Sequence, residues 1–95
     1  MAVDKKTLTL KYFSLAKKLR KVYPKLEYKD HVFWRIALDN TLKAKWDEVI
    51  ERPAYEHLTK KQLEQVVKWL EKYEKDERLL HLHNTKSISF RKHAS

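Results

Sequence analysis

The chain contains no glycine in its 95 residues, where average usage would supply about six or seven. A phosphate loop of the Walker type wraps backbone amides around a phosphate and needs positions without a side chain. A dinucleotide-binding turn needs glycine for its tight bend and for close approach to the pyrophosphate. A nucleophile elbow needs small neighbours around a strained serine. None of these can be written in this sequence. There is no cysteine either, which removes disulfides and thiolate metal sites and leaves the core to carry stability. What remains reads as a soluble, basic, mostly helical chain.

The length fits one helical domain over 1–95, with an ordered core at about 8–90 and a loose basic tail at 91–95. Hydrophobic residues make up 42%, including three Trp, five Tyr and three Phe, too much apolar material for a disordered chain. The first ten residues are polar and lysine-rich, unlike a secretory signal. No apolar run approaches the ~18 residues of a membrane span. These readings place the protein in the cytoplasm with no membrane partner.

Net charge is +9 and unevenly spread. Residues 1–29 hold nine Lys/Arg against two acids, residues 30–58 four against six, and residues 78–95 four against none. Both ends are basic and the middle is not. Such asymmetry points to nucleic acid or an acidic surface, or serves solubility.

Hydrophobic spacing predicts the helices. Tyr12, Leu15, Ala16, Leu19, Val22 and Tyr23 recur at three and four, which defines a first helix from about Leu8 or Thr9 to Tyr23, stopped by Pro24. A second starts with Asp30 as N-cap and runs to about Val49 or Ile50. It is apolar over most of its circumference, which makes it central, with a polar strip of Arg35, Asp39 and Lys43. Pro53 breaks the chain, and Ala54–Leu58 fits one turn. Thr59 and Gln62 form a capping box, with Leu58 and Leu63 as staple, for a third helix to Lys75. Asp76 caps a short fourth helix, Glu77 to His83, with Asn84 as its stop. In the tail, Ile88 and Phe90 are the expected anchors. The expected fold is all-α: three main helices, a short fourth and a C-terminal tail.

Two surfaces are candidates for function. Arg35, Asp39, Trp46, Arg52 and Tyr55 gather near an irregular junction, and Arg, Trp and Tyr are the residue types that anchor protein interfaces. The alternative is a lysine stripe on the first helix (Lys11, Lys17, Lys18, Lys21 and Lys25) that would track a phosphate backbone. Phe13, Tyr28 or a Trp would then stack on bases. Asn40, set among apolar neighbours, should be hydrogen-bonded if buried. His81 and His83, two apart on a helix, diverge and match no zinc spacing. No hydroxyl sits beside a His and an acid in a catalytic motif. The expectation is a non-enzymatic binding module, monomer or homodimer, with no cofactor and an unidentified protein partner or nucleic acid.

The run from Phe33 to Asn40, with Lys45-Trp46-Asp47, Arg52-Pro53-Ala54-Tyr55 and Leu58-Thr59, resembles a pattern in short uncharacterised bacterial proteins, some labelled acetyltransferases. Acetyltransferases of that kind hold the pyrophosphate of coenzyme A with a glycine-containing loop after a strand. This chain has no glycine and no convincing strand pair. The resemblance implies a bacterial cytosolic protein and supplies no established function.

Overall fold

The computed structural model describes residues 4–92. Its first helix, α1 (Lys5–Val22), begins one turn earlier than apolar spacing predicts, because the Asp4 carboxylate accepts from the Thr7 amide at 2.8 Å. That bond satisfies one of the helix's four free N–H groups. α1 ends before Pro24, as expected, and a single 3-10 turn follows over Pro24–Leu26.

α2 spans Asp30–Leu42. Asp30 is its first residue and makes no side-chain cap; its carboxylate instead receives Arg20 at 3.3 Å. α2 also stops well short of Val49. Lys43 takes a left-handed backbone, φ 56°, and the Ala44 amide donates to the Asp39 carbonyl at 3.2 Å. This is the Schellman type of helix stop, usually built on glycine. With no glycine in the chain, lysine fills the position. A β-carbon there costs roughly 1–2 kcal/mol.

Two single-turn helices follow, α3 (Trp46–Val49) and α4 (Ala54–His57), separated by the cis peptide Arg52–Pro53. α5 (Lys60–Lys75) starts on the predicted capping box. Thr59 Oγ1 accepts from the Gln62 amide at 3.1 Å, and Gln62 Oε1 accepts from the Thr59 amide at 2.9 Å. Leu58 and Leu63 are both buried beneath it.

α6 (Glu77–Lys92) is the main departure from expectation. Asp76 does cap it, accepting from the Leu79 amide at 3.0 Å. Asn84 does not end it. Helical geometry continues through Lys92, so the expected short helix and tail are one helix of 16 residues. Arg91 is ordered on that helix and ion-paired; the rest of the expected loose tail, 93–95, lies outside the described residues. The inward face carries Leu80, His83 and Ser87. Ile88, an expected anchor, is exposed, and Phe90 is half-buried.

Among the described residues the fold is therefore all-α, with six α-helices, four of them of seven residues or more, and no strand. α1 packs mainly on α5 and also on α2, while α6 packs on α2 and α5. α2 touches the other three long helices, as its broad apolar surface implies, but α5 shares that central place. Phe33, Ile36, Leu63, Val66, Leu70 and Tyr73 are fully buried between them. Each such side chain contributes roughly 1.5–3 kcal/mol on burial. The radius of gyration, 12.6 Å, is close to the ~12–13 Å of a packed chain this long. No described helix is long and apolar enough to cross a membrane.

Candidate functional site

Of the polar strip of α2, Arg35 and Asp39 face α6, while Lys43, at the helix stop, is exposed. Asp39 is fully buried. Its Oδ2 accepts from Ser87 Oγ at 2.6 Å and from Arg91 Nε at 3.0 Å. Its Oδ1 accepts from the Trp46 amide at 3.0 Å and faces Arg91 Nη2 at 3.4 Å. One carboxylate thus fastens α2, the first turn of α3 and the end of α6. Asp39 belongs with the partner-surface candidates only as support, since no oxygen of it is free for a ligand.

Arg35, one turn earlier, reaches the same helix. Its Nη2 donates to Asn84 Oδ1, and Asn84 Nδ2 donates to the Tyr28 hydroxyl at 3.3 Å. Its Nε is buried without a partner among the described residues. Burial and the nearby Arg91 charge both lower the Arg35 pKa, with Asp39 opposing them. Arg91 is ion-paired to Asp39, whereas Arg35 lies nearby with no ion-pair contact of its own among the described residues. Asn40 is hydrogen-bonded, as expected of a covered amide, through Nδ2 to the carbonyls of Ile36 at 2.7 Å and His83 at 2.9 Å.

The outer edge of Arg35 lines a cleft of about 270 Å³. Trp46, Arg52 and Tyr55 line it too, so four of the five candidate residues meet around one depression. The rest of its wall comes from α1, from His31, Trp34 and Leu38 of α2, and from Pro53 and Ala54 at the start of α4. Tyr12 and Trp34 stack with ring centres 4.8 Å apart and planes 5° from parallel. Phe13 meets Trp34 edge-on at 5.5 Å and Tyr55 at 5.0 Å. The Trp34 indole donates to the Tyr12 carbonyl at 2.9 Å, which fixes the stack. Such ring pairs add about 0.5–1.5 kcal/mol each beyond area burial. Tyr12, Phe13 and Trp34 were not among the candidates for this surface. Phe13 sits off the apolar face of α1, and that misplaced aromatic is the one sequence signal that points to a second contact there.

Arg52 lies over the Trp46 ring, its guanidinium carbon 5.2 Å from the ring centre, and donates to Asp47 Oδ2 at 2.9 Å. Burial pushes the Asp47 carboxyl up, but the Arg52 bond, its own backbone amide and nearby Lys45 and Arg91 outweigh it, so its pKa is lowered. Asp47 does not line the cleft. The lining holds two arginines and His31 and no carboxylate. It also holds no serine, threonine or acid beside the histidine. Its chemistry suits binding of an apolar group next to a negative charge.

Lys11, Lys17, Lys18 and Lys21 of the lysine stripe lie on α1 and Lys25 on the 3-10 turn after it, but they are not a built site. Lys11, Lys17, Lys21 and Lys25 are exposed. Lys18 pairs with Glu74 at 2.9 Å. Lys17, Arg20 and Lys21 border a shallow depression with no aromatic beside it. Phe13 is committed to the cleft and Tyr28 packs edge-on against Phe33. The two basic helices, α1 and α6, are not a closely packed pair; each packs instead on α2 and α5. Of the two histidines, His81 is exposed beside Glu77, whereas His83 is buried on Tyr73. Among the described residues no three His, Asp or Glu groups gather to hold a metal.

No family model, no curated protein and no solved structure matches this chain. Its functional reading rests on the cleft itself.

Proposed function

We propose that the protein is a non-enzymatic binding module that docks an acidic segment of another protein, with the aromatic cleft as its anchor point. The carrying observation is the convergence of Tyr12, Phe13, Trp34, Trp46 and Tyr55 with Arg35 and Arg52 around about 270 Å³ lined by no carboxylate. That volume is below the ~300–1,000 Å³ of ordinary small-molecule pockets. It suits one apolar side chain. Trp, Tyr and Arg around a desolvated pocket are the composition of an interface hot spot. The arginines select a partner in which that side chain is flanked by Asp or Glu, and the chain's net +9 speeds encounter with it.

The test uses displayed peptides. A library with Leu, Phe or Trp flanked by acids is screened beside one flanked by neutral residues. Enrichment from the acidic library alone, lost in Tyr55→Ala and Arg52→Glu proteins that keep the native helical spectrum, supports the reading. Equal enrichment from both libraries, or binding indifferent to both substitutions, overturns it.

The lysine stripe supports a second reading, nucleic-acid binding, since four of its five lysines are exposed and unpaired in the described ion pairs. Binding to DNA or RNA that falls steeply between about 50 and 200 mM salt and disappears in Lys17→Glu/Lys21→Glu would favour it over the cleft.

A further inference from the structure

A second concavity lies on a different side of the same helices. It is bordered by the end of α2, the middle of α5 and the last two turns of α6. Its volume is about 440 Å³, within the range of small-molecule sites and larger than the aromatic cleft. Asn40, Lys43, Trp69, His83, Lys86 and Phe90 line it, with Ser89 at the rim. We propose that this groove binds a small planar aromatic anion, the ring held by Trp69 and Phe90 and the negative group by Lys43 and Lys86.

The ring preference comes from the lining. Trp69 and Phe90 are half-buried side chains of α5 and α6 that face one space without being paired with each other. His83 closes one end, its ring meeting the Trp69 ring edge-on at 4.6 Å. The lining is mostly apolar, so a purely ionic ligand would leave it wet and unused.

The charge preference comes from what is missing around the lysines. Lys18, Arg20, Arg52 and Arg91 each have a carboxylate within ion-pair distance. Lys43, Lys72 and Lys86 have none among the described residues. Lys72 lies over the Trp69 ring, its Nζ 5.2 Å from the centre. Two ammonium groups, Lys43 and Lys86, thus line one apolar floor and no acid lines it.

The polar groups at the floor are donors as well. Tyr73 Oη lies 2.7 Å from His83 Nδ1, and the hydroxyl has no other hydrogen-bond partner among the described residues. In the tautomer that satisfies both groups, the phenol donates to Nδ1. A neutral imidazole accepting at Nδ1 carries its own proton on Nε2, and Nε2 has no partner among the described residues. The Trp69 indole Nε1 is likewise unpartnered. The two lysines and the imidazole N–H favour an acceptor-rich, negative group.

The experiment is a titration of the full chain, ¹⁵N-labelled, with 2-naphthoate, with its neutral analogue 2-naphthalenemethanol, and with adenosine monophosphate. The three Trp indole signals act as site reporters, since only Trp69 lines this groove. The expected result is saturable movement of the Trp69 signal by naphthoate, at least tenfold weaker for the neutral alcohol. Lys86→Glu, a solvent-exposed change that leaves the fold intact, should weaken naphthoate binding about tenfold. Tighter binding of the nucleotide than of naphthoate would make the anion a phosphate; the reverse would make it a carboxylate. A still Trp69 signal, equal binding of the alcohol, or indifference to Lys86→Glu overturns the proposal. So does movement confined to the Trp34 and Trp46 signals, which would assign the ligand to the other cleft.

Discussion

Substitution of Arg91 by alanine should destabilise the protein by about 2–3 kcal/mol. Asp39 is fully buried and takes two of its four contacts from the Arg91 guanidinium, at 3.0 and 3.4 Å. Removing one partner of a fully buried ion pair costs about 3–5 kcal/mol, because the other charge is left uncompensated. Here the Arg91 side chain keeps 27% of its exposure. Water can approach from that side and replace part of the lost contact, which brings the expected cost below the full range. At roughly 4–8 °C per kcal/mol for a domain this small, the midpoint should fall about 10–20 °C. Urea unfolding followed by circular dichroism measures it, with the change expected in the midpoint and not in the slope.

A loss can also arise from trimming any helix end, so a double-mutant cycle is needed. Asp39→Ala removes the carboxylate, frees the Trp46 amide and strands Arg91. If the two residues act as a pair, Asp39→Ala/Arg91→Ala costs at least about 1 kcal/mol less than the two single changes together. Ser87→Ala, which removes one neutral donor to a charged acceptor, should cost about 1.5 kcal/mol. The reasoning fails if Arg91→Ala costs under about 0.5 kcal/mol, the value of an exposed ion pair, or if the cycle is additive. A positive result also bears on function. Asp39 Oδ1 holds the Trp46 amide, so loosening α6 should shift the Trp46 indole signal although Arg91 does not line the aromatic cleft.

Three further outcomes are expected. Lys43→Gly should stabilise the fold by about 0.5–1 kcal/mol in urea unfolding, since glycine adopts φ 56° without the β-carbon penalty; no gain would mean that the lysine side chain offsets its strain. Thr59→Ala should cost about 1 kcal/mol by removing half of the capping box on α5, and Thr59→Ser should restore most of it. Stability should fall as pH drops below about 6.5. His83 has its pKa lowered by burial, and then by Lys86 and Lys72, so the unfolded chain takes up this proton first and the penalty grows until the lowered native value is passed. Tyr73 and Trp69 complete its surroundings and carry no charge to offset the protonated ring. His83→Gln should flatten that slope between pH 6.5 and 5; an unchanged slope would place it on other groups.

Signals that act within a few residues were legible in the sequence. The Thr59–Gln62 box, the stop at Pro24, the break at Pro53 and the cap at Asp76 all depend on local geometry, and each appears where the residue types require. The long C-terminal helix was not legible, and the reason is chemical. Apolar spacing detects a helix by its oily face, but the inward face of α6 past Leu80 carries His83, Asn84, Ser87 and Arg91. Asn84, Ser87 and Arg91 meet the equally polar Arg35 and Asp39 on α2, and the His83 ring meets the Tyr73 hydroxyl and Trp69 on α5. A polar face met by a polar face leaves no hydrophobic period, and Asn84 looked like a stop because its role in holding Arg35 is tertiary. The early end of α2 was hidden differently. Its left-handed stop is normally announced by glycine or asparagine, and here the position is a lysine.

The candidate cleft was half legible for the same reason. Arg35, Trp46, Arg52 and Tyr55 lie close in sequence, so their meeting needs only a bend after α2. Tyr12 and Phe13 join them because α1 docks across α2, which no local pattern encodes. The charge distribution shows how much this matters. Both ends of the chain are basic, but α1 and α6 are not a closely packed pair, and several exposed cations are answered by Glu74, Asp30 and Asp47. What persists is positive charge beside two aromatic concavities, the cleft with Arg35 and Arg52 and the groove with Lys43 and Lys86. Salt should therefore weaken a ligand at either site gradually, as a few charges would. It should not produce the steep dependence of a protein that releases many counterions from a phosphate backbone.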